Sequence, residues 1–487
     1  MMEKQKILQS AAPEEVGISS KDLAAFYAKL DSCGIEFHHV SIARHGKLIA
    51  QGSWNPYKNE IPHMTHSLTK LLTNTAVGIV CDEGVISLDD KVASFFPDEV
   101  QGITDKRVYR MTVRDLITMR CGHAHLISGN KWRPIKTSWV AEFFKEPLAY
   151  EPGVHFQYTS ATSYILSAIV QKVTGKTTFE YLYDRLLKDM QFGKMRWDKC
   201  PHGICSGGNG ITMTNVDALK IGLLYLNDGI WNGKRYLSHQ WIQEAMVDSC
   251  KLNPDTGYGF HLCNEDGVIS SGGIFGQTVV MVPKLDMVVS INAAHPGNRP
   301  NALDKAMRDL LEKYLFSIVH EDALPENPDA YEKMKNYLGQ LDLPCPESFQ
   351  GQSFSDFPSG LYRAEENIDG IKNFSFAFGK ENLNFTMTDA RGTHSVLCGY
   401  RNWEYTESSM TGNYLHHQYQ PDCTPVAAKV FRIDKNTLVM KWAWVEMTFV
   451  DTVVCNFEGD RLRFKRFVNV NTQDTERPEV IAYREQQ

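Results

Sequence analysis

The chain has 487 residues, 43% of them hydrophobic and 22% charged, and its formal net charge is −7. These proportions exclude a disordered, collagen-like or supercharged chain, and the length suggests two to three domains. The negative balance argues against nucleic acid as a partner, because phosphate binding needs a basic surface. No stretch reaches the roughly 18 uninterrupted apolar residues of a membrane helix, so no membrane partner is expected.

The first ten residues carry Glu3, Lys4, Gln5 and Lys6 and no apolar core of a signal peptide, so a cytoplasmic protein is expected. Eleven cysteines, an odd number, suit reduced and mostly buried thiols. Residues 38–54 read as a hairpin, with Val40, Ile42 and Ala43 before the turn His45-Gly46-Lys47 and Leu48, Ile49 and Ala50 after it. Residues 67–81 form a helix apolar on nearly every side, stopped by Glu83-Gly84, as a buried central helix would be. A second buried helix spans 160–173, capped by Ser160 and ended at Gly175. A third spans 216–226. Strands at 279–282 and 287–291 flank the turn Pro283-Lys284-Leu285-Asp286, and a closing helix covers 302–316. The chain is divided into a domain at 1–324, a Pro- and Asp-containing linker at 325–352 with one short helix, and a domain at 353–487. In the last, Phe374, Phe376 and Phe378 alternate, as do Leu383, Phe385 and Met387 and then Leu462 and Phe464. That period of two predicts a meander of antiparallel strands forming a small sandwich or barrel.

Three stretches could carry chemistry. In Ser67-Leu68-Thr69-Lys70 the serine and lysine lie three apart on one helix face. A buried lysine there loses its ammonium to desolvation, and a neutral amine can take the serine proton so that the oxygen attacks a carbonyl. Ser-x-x-Lys occurs by chance about once or twice in a chain of average composition, and Ser128-Gly129-Asn130-Lys131 also fits; it lies in a loop with no helix to fix the spacing. On spacing alone, Ser67 serves equally well as a plain helix cap. In Glu151-Pro152-Gly153 through Tyr158-Thr159-Ser160, a phenol sits at a helix mouth, where it can relay protons or merely pack. In Ser271-Gly272-Gly273-Ile274, glycines before a strand allow close backbone approach to a ligand, or form an ordinary turn. Gly-x-Ser-x-Gly and a phosphate loop are absent. The pair Cys200 and Cys205 with His202, and the pair His123 and His125, lack a zinc-site spacing.

In order and spacing these stretches resemble the serine β-lactamase and penicillin-binding-protein superfamily. The resemblance is nearest to its class C β-lactamase-like branch, with family VIII carboxylesterases and D-aminopeptidases. Ser67 to Lys70 matches Ser-x-x-Lys, Tyr158-Thr159-Ser160 matches Tyr-x-Asn with serine in third place, and Ser271-Gly272-Gly273 stands where the family has Lys-Thr-Gly or Trp-Gly-Gly. The stretches 83–92, 111–119 and 229–235 match too. The resemblance implies an α+β fold: an antiparallel sheet flanked by helices, an all-helical region carrying Tyr158, and an appended lipocalin-like β domain. It implies Ser67 as nucleophile, Lys70 as its base, and Tyr158 sharing protons with Lys70 for leaving group and water. The amides of Ser67 and Ile274 would form the oxyanion hole, with Ser160, Ser271, Gly272 and Gly273 along the substrate, and no metal or organic cofactor. Two departures bear on substrate. Neutral Ser271 replaces a lysine that holds a substrate carboxylate, and Ser160 replaces an amide. The expected reaction is hydrolysis of a small ester or amide through an acyl-enzyme. A β-lactamase or D-amino-acid peptidase is the alternative, and a non-catalytic sensor the third reading. Whether the chain forms a homo-oligomer stays open, as does whether the C-terminal domain narrows the cleft or only covers apolar surface.

Overall fold

In the computed structural model, which describes residues 8–127, 131–296, 303–348 and 353–485, the predicted hairpin is present as β1 (Glu36–Arg44) and β2 (Lys47–Ser53). His45 and Gly46 both take positive φ, at 50° and 69°, so the two-residue turn follows the strand twist. By contact density the chain separates into two units. The first comprises Met1–Ser53, Asn59–Ala293 and Gly297–Leu341, and the second Trp54–Lys58, Ala294–Pro296 and Asp342–Gln487.

The first unit holds an eight-stranded sheet. Its further strands are β3 (Cys250–Lys251), β4 (Gly257–Tyr258), β5 (Cys263–Glu265), β6 (Val268–Gly273), β7 (Gln277–Val282) and β8 (Met287–Ala294), in the order β2-β1-β8-β7-β6-β5-β4-β3. Every residue of β7 and β8 is buried, which is why both read as continuous apolar runs rather than alternating ones. The longer helices of the unit include α1 (Ser20–Ser32), α2 (Thr69–Asp82), α3 (Ser160–Thr174), α4 (Asn215–Leu226), α5 (Lys305–Tyr314) and α6 (Pro328–Leu338). The expected buried central helix is α2, whose residues 69–80 are all buried. α4 lies against the sheet at Gly222, where a Cβ would stand 2.6 Å from both Val279 and Val288. Ala302, the expected start of the closing helix, lies outside the described residues; α5 begins at Lys305 behind its cap Asp304. Inside the stretch expected as a linker, α6 starts at Pro328 behind its cap Asn327 and belongs to the first unit.

Three histidines are buried between β1 and the short strand His63–Met64. His38 Nδ1 is 2.9 Å from His63 Nε2, and His39 Nδ1 hydrogen-bonds Ser53 Oγ at 2.7 Å. Burial holds all three below the usual imidazole pKa, His39 at about 3, with the neighbouring rings adding to the effect at His39 and His63. A histidine whose folded pKa is depressed stabilises the fold fully above its unfolded value of about 6.5, and that stability is lost as pH falls toward the folded value. Each such histidine removes about 1.4 kcal/mol per pH unit in that window. The melting temperature should therefore fall steeply from pH 6 to 4. An unchanged melting temperature at pH 5 would show that these rings are not held neutral.

The second unit carries the predicted alternating strands: β9 (Gly360–Ala364), β10 (Asn373–Phe378), β11 (Asn382–Asp389), β12 (Gly392–Gly399), β13 (Glu404–Ser408), β14 (Thr424–Arg432), β15 (Thr437–Ala443), β16 (Val450–Glu458), β17 (Arg461–Val468) and β18 (Val480–Arg484). They follow the order β12-β11-β10-β9-β18-β17-β16-β15-β14, and a parallel bridge from Gly399 to Lys429 closes the ring. β13 pairs along β14 as a tenth strand. The barrel therefore has nine strands where a lipocalin has eight. Phe374, Phe376, Leu383, Phe385, Leu462 and Phe464 all point inward, with Phe374 and Phe464 stacked at 4.4 Å.

Candidate active site

The helix that carries Lys70 also brings it to Ser67. Residues His66–Leu68 form a 3-10 turn that continues into α2, so the two side chains share one face. Thr65 and Thr69 tie this turn to Ile211: the Thr65 hydroxyl donates to the Ile211 carbonyl at 2.9 Å, and the Ile211 amide donates to Thr69 Oγ1 at 3.1 Å. Lys70 is fully buried, and its Nζ lies 3.1 Å from Ser67 Oγ, 3.0 Å from Ser160 Oγ and 2.6 Å from the Gly208 carbonyl. Burial lowers its pKa well below the usual 10.5, and no carboxylate opposes that shift. A neutral amine fits these three oxygens. Its two N–H groups serve the Gly208 carbonyl, which can only accept, and Ser160, leaving the lone pair toward the Ser67 hydroxyl.

Ser160 does not cap α3. Thr159 does, accepting from the Ala161 amide, because Thr159 is the residue with extended backbone while Ser160 is already helical. The Ser160 hydroxyl is thereby available to Lys70. Tyr158 ends the extended segment before this cap, and Lys70 Nζ sits 4.9 Å from the centre of its ring. Its phenol packs with Met119, Tyr258 and Cys263 and hydrogen-bonds Ser67. Burial raises the phenol pKa, and the Ser67 bond opposes this only in part.

The third stretch forms the end of β6. Gly272 and Gly273 pair with Thr278 and Gln277 of β7. At Gly273 a Cβ would stand 2.4 Å from the Thr65 carbonyl and 2.9 Å from the Ser67 amide nitrogen, so only glycine lets this strand run beside the nucleophile turn. His66 precedes Ser67 and Phe275 follows Ile274, and both hold left-handed backbone, φ 48° and 66°, with their rings 5.5 Å apart. Such conformations are costly for residues with a Cβ and concentrate at sites where geometry is over-determined. Ser271 is fully buried and turns its hydroxyl to the His261 carbonyl at 3.3 Å.

Two groups in the site were not read from the sequence. Gly207 and Gly208 lie against α3, where a Cβ on Gly208 would stand 2.6 Å from that of Ser160. Their carbonyls accept from Thr73 and Lys70. The signal available was the run Ser206-Gly207-Gly208-Asn209-Gly210 ahead of a strand. His261, fully buried with φ 56°, bridges Tyr258 OH at 3.2 Å and Ser163 Oγ at 3.1 Å. Nothing in its local sequence marked it. The second Ser-x-x-Lys match begins at Ser128, outside the described residues. Among the described residues no group of three His, Cys, Asp or Glu side chains could hold a metal ion, and no helix is long and apolar enough to cross a membrane.

An antiparallel sheet flanked by helices, with a serine and a buried lysine on one helical turn beside the end of β6, is the arrangement of a β-lactamase-like fold. The Beta-lactamase family matches residues 36–312, more than half of the chain, and the chain belongs to that family. It is 26% identical over 256 residues to a 6-aminohexanoate-dimer hydrolase of Paenarthrobacter ureafaciens, covering 47% of this chain and 64% of that one. It is 27% identical over 153 residues to a lovastatin esterase of Penicillium rubens, covering 26% of this chain and 38% of that one. The chain thus spans less than two thirds of these relatives. Among solved structures, a penicillin-binding protein homologue from Caulobacter crescentus superposes with TM-score 0.51 at 12% identity, over 64% of this chain and 99% of that one. SurE does so with TM-score 0.50 at 14% identity, over 96% and 99%.

Proposed function

We propose that the protein cleaves a small ester or amide through an acyl-enzyme on Ser67. The observation that carries this reading is Lys70 Nζ, desolvated and without a counter-anion, 3.1 Å from Ser67 Oγ. Lys70 takes the hydroxyl proton as Oγ bonds to the substrate carbonyl carbon. The carbonyl electron pair moves to oxygen, where the amides of Ser67 and Ile274 stabilise it. Collapse of the tetrahedral species breaks the bond to the alkoxide or amine, which receives the proton from Lys70 through Tyr158. Water then attacks the acyl-enzyme, gives a proton back along the same pair, and releases the acid and free Ser67. The raised pKa of Tyr158 keeps it a phenol, so it relays protons while Lys70 is the base.

Uncharged acyl groups suit the third motif. Ser271 brings no cation, and its hydroxyl is engaged with His261. Gly272, Gly273 and Ile274 offer backbone to the substrate, and Ser160 holds Lys70 rather than an acyl chain. The names of the two curated relatives, an amide and an ester hydrolase, agree with this class. Cys121, Cys200, Cys205, Cys263, Cys398 and Cys455 are buried thiols, which supports a reducing, cytoplasmic setting.

The test is hydrolysis of p-nitrophenyl butyrate by the wild type and by Ser67→Ala. Turnover in the first and a fall of about a thousandfold or more in the second is the expected result. Equal rates in both would remove Ser67 from the chemistry. Nitrocefin turnover rivalling the best ester would favour the β-lactamase reading, and stable acylation without turnover the sensor reading.

A further inference from the structure

Along β17 the inward positions are Leu462, Phe464, Arg466 and Val468, so one arginine stands among apolar residues inside the barrel. It borders a cavity of about 420 Å³, a volume in the range of small-molecule sites. Ile371, Met387, Leu415, Phe464 and Val480 give this cavity an apolar wall. Its charged lining is three arginines against two aspartates.

Two of the arginines are engaged. Arg477 Nε donates to both oxygens of Asp369 at 2.8 and 3.1 Å. Arg391 donates to the carbonyls of Ser409 and Thr411 at 3.2 and 3.3 Å and lies 3.6 Å from Asp389. Arg466 is different. Its Nη2 donates to Asp451 Oδ2 at 2.7 Å and to the Met410 carbonyl at 3.1 Å, while its buried Nε has no protein partner. Thr411 Oγ1, on the same cavity, is also buried without a partner. Arg466 is 7% exposed and Thr411 3%. Two hydrogen-bond donors fixed by packing and left over beside an apolar wall call for a ligand that supplies acceptor oxygens and an apolar body. Guanidinium groups match carboxylate oxygens best.

The geometry points to the barrel cavity as a binding site for a small amphipathic carboxylate, read by Arg466 and Thr411 and separate from the Ser67 chemistry. Decanoate is the probe, titrated calorimetrically into the full-length protein, with decanol as the control lacking the carboxylate. One-to-one binding is expected, at least tenfold tighter for decanoate than for decanol. Arg466→Gln should weaken it at least tenfold. Because Asp451 faces Arg466, that variant risks misfolding, so Ala390→Trp is the second. Ala390 is exposed on the turn between β11 and β12, and the indole would fill the cavity from its rim. It too should weaken decanoate at least tenfold without changing ester turnover. The proposal is overturned by no saturable binding, by equal affinity for decanol, or by affinity retained within twofold in Ala390→Trp. That last outcome would place the decanoate elsewhere, the Ser67 site included.

Discussion

Lys70→Met is expected to lower kcat/KM for p-nitrophenyl butyrate by about 10²- to 10⁴-fold, the usual contribution of a positioned base, while leaving the melting temperature unchanged or raised. The two effects diverge because the same burial underlies both. Lys70 has no carboxylate beside it, so its buried amine carries a desolvation cost that its three neutral oxygen partners offset only in part and that methionine, of similar length, does not incur. Lys70→Arg should be equally inactive, because a guanidinium stays protonated and offers no lone pair. The wild type should lose activity as pH falls, since protonation of Lys70 removes the base, and the midpoint of that limb should lie well below the usual lysine value of 10.5. Activity of Lys70→Met within tenfold of wild type would show that another group takes the Ser67 proton.

Asp451→Ala should destabilise the barrel by about 3–5 kcal/mol, the cost of leaving a buried charge without its partner. Asp451 is fully buried. Burial alone would raise its pKa, and Arg466 and His416 overcome this and hold it well below the usual carboxylate range. It accepts from Arg466 Nη2 at 2.7 Å, from Trp444 Nε1 at 2.9 Å and from His416 Nε2 at 3.0 Å, and His416 Nδ1 accepts in turn from the Gly412 amide. Removing the carboxylate takes the acceptor from three buried donors at once, of which Arg466 Nη2 alone keeps another, the Met410 carbonyl. The double variant Asp451→Leu with Arg466→Met should recover much of the loss, because apolar groups of similar volume replace the pair without desolvation cost. Urea unfolding of the three proteins decides it. A single variant within about 0.5 kcal/mol of wild type, the usual range of surface substitutions, would mean that this network does not hold the barrel together.

Wherever one periodicity governs a segment, the sequence determined the outcome. Period two in Phe374 to Phe378, Leu383 to Met387 and Leu462 to Phe464 specified barrel strands and their inward faces, since alternate side chains of a strand must face opposite sides. The apolar surround of 69–80 specified a buried helix, and the three-residue spacing of Ser67 and Lys70 then had to place both on one face. Contacts between distant segments were decided by the tertiary structure. Whether Thr159 or Ser160 capped α3 depended on which of the two had extended backbone, and that assigned Ser160 to Lys70 instead of to the helix end. The Gly208 carbonyl on Lys70, the His261 bridge and the left-handed turns at His66 and Phe275 exist only because strands and helices remote in sequence pack at those points. Arg466 shows both in one residue: its inward direction follows from alternation along β17, whereas its pairing with Asp451 depends on the register of β16 against β17, which sets Asp451 opposite Val468 and so diagonal to Arg466.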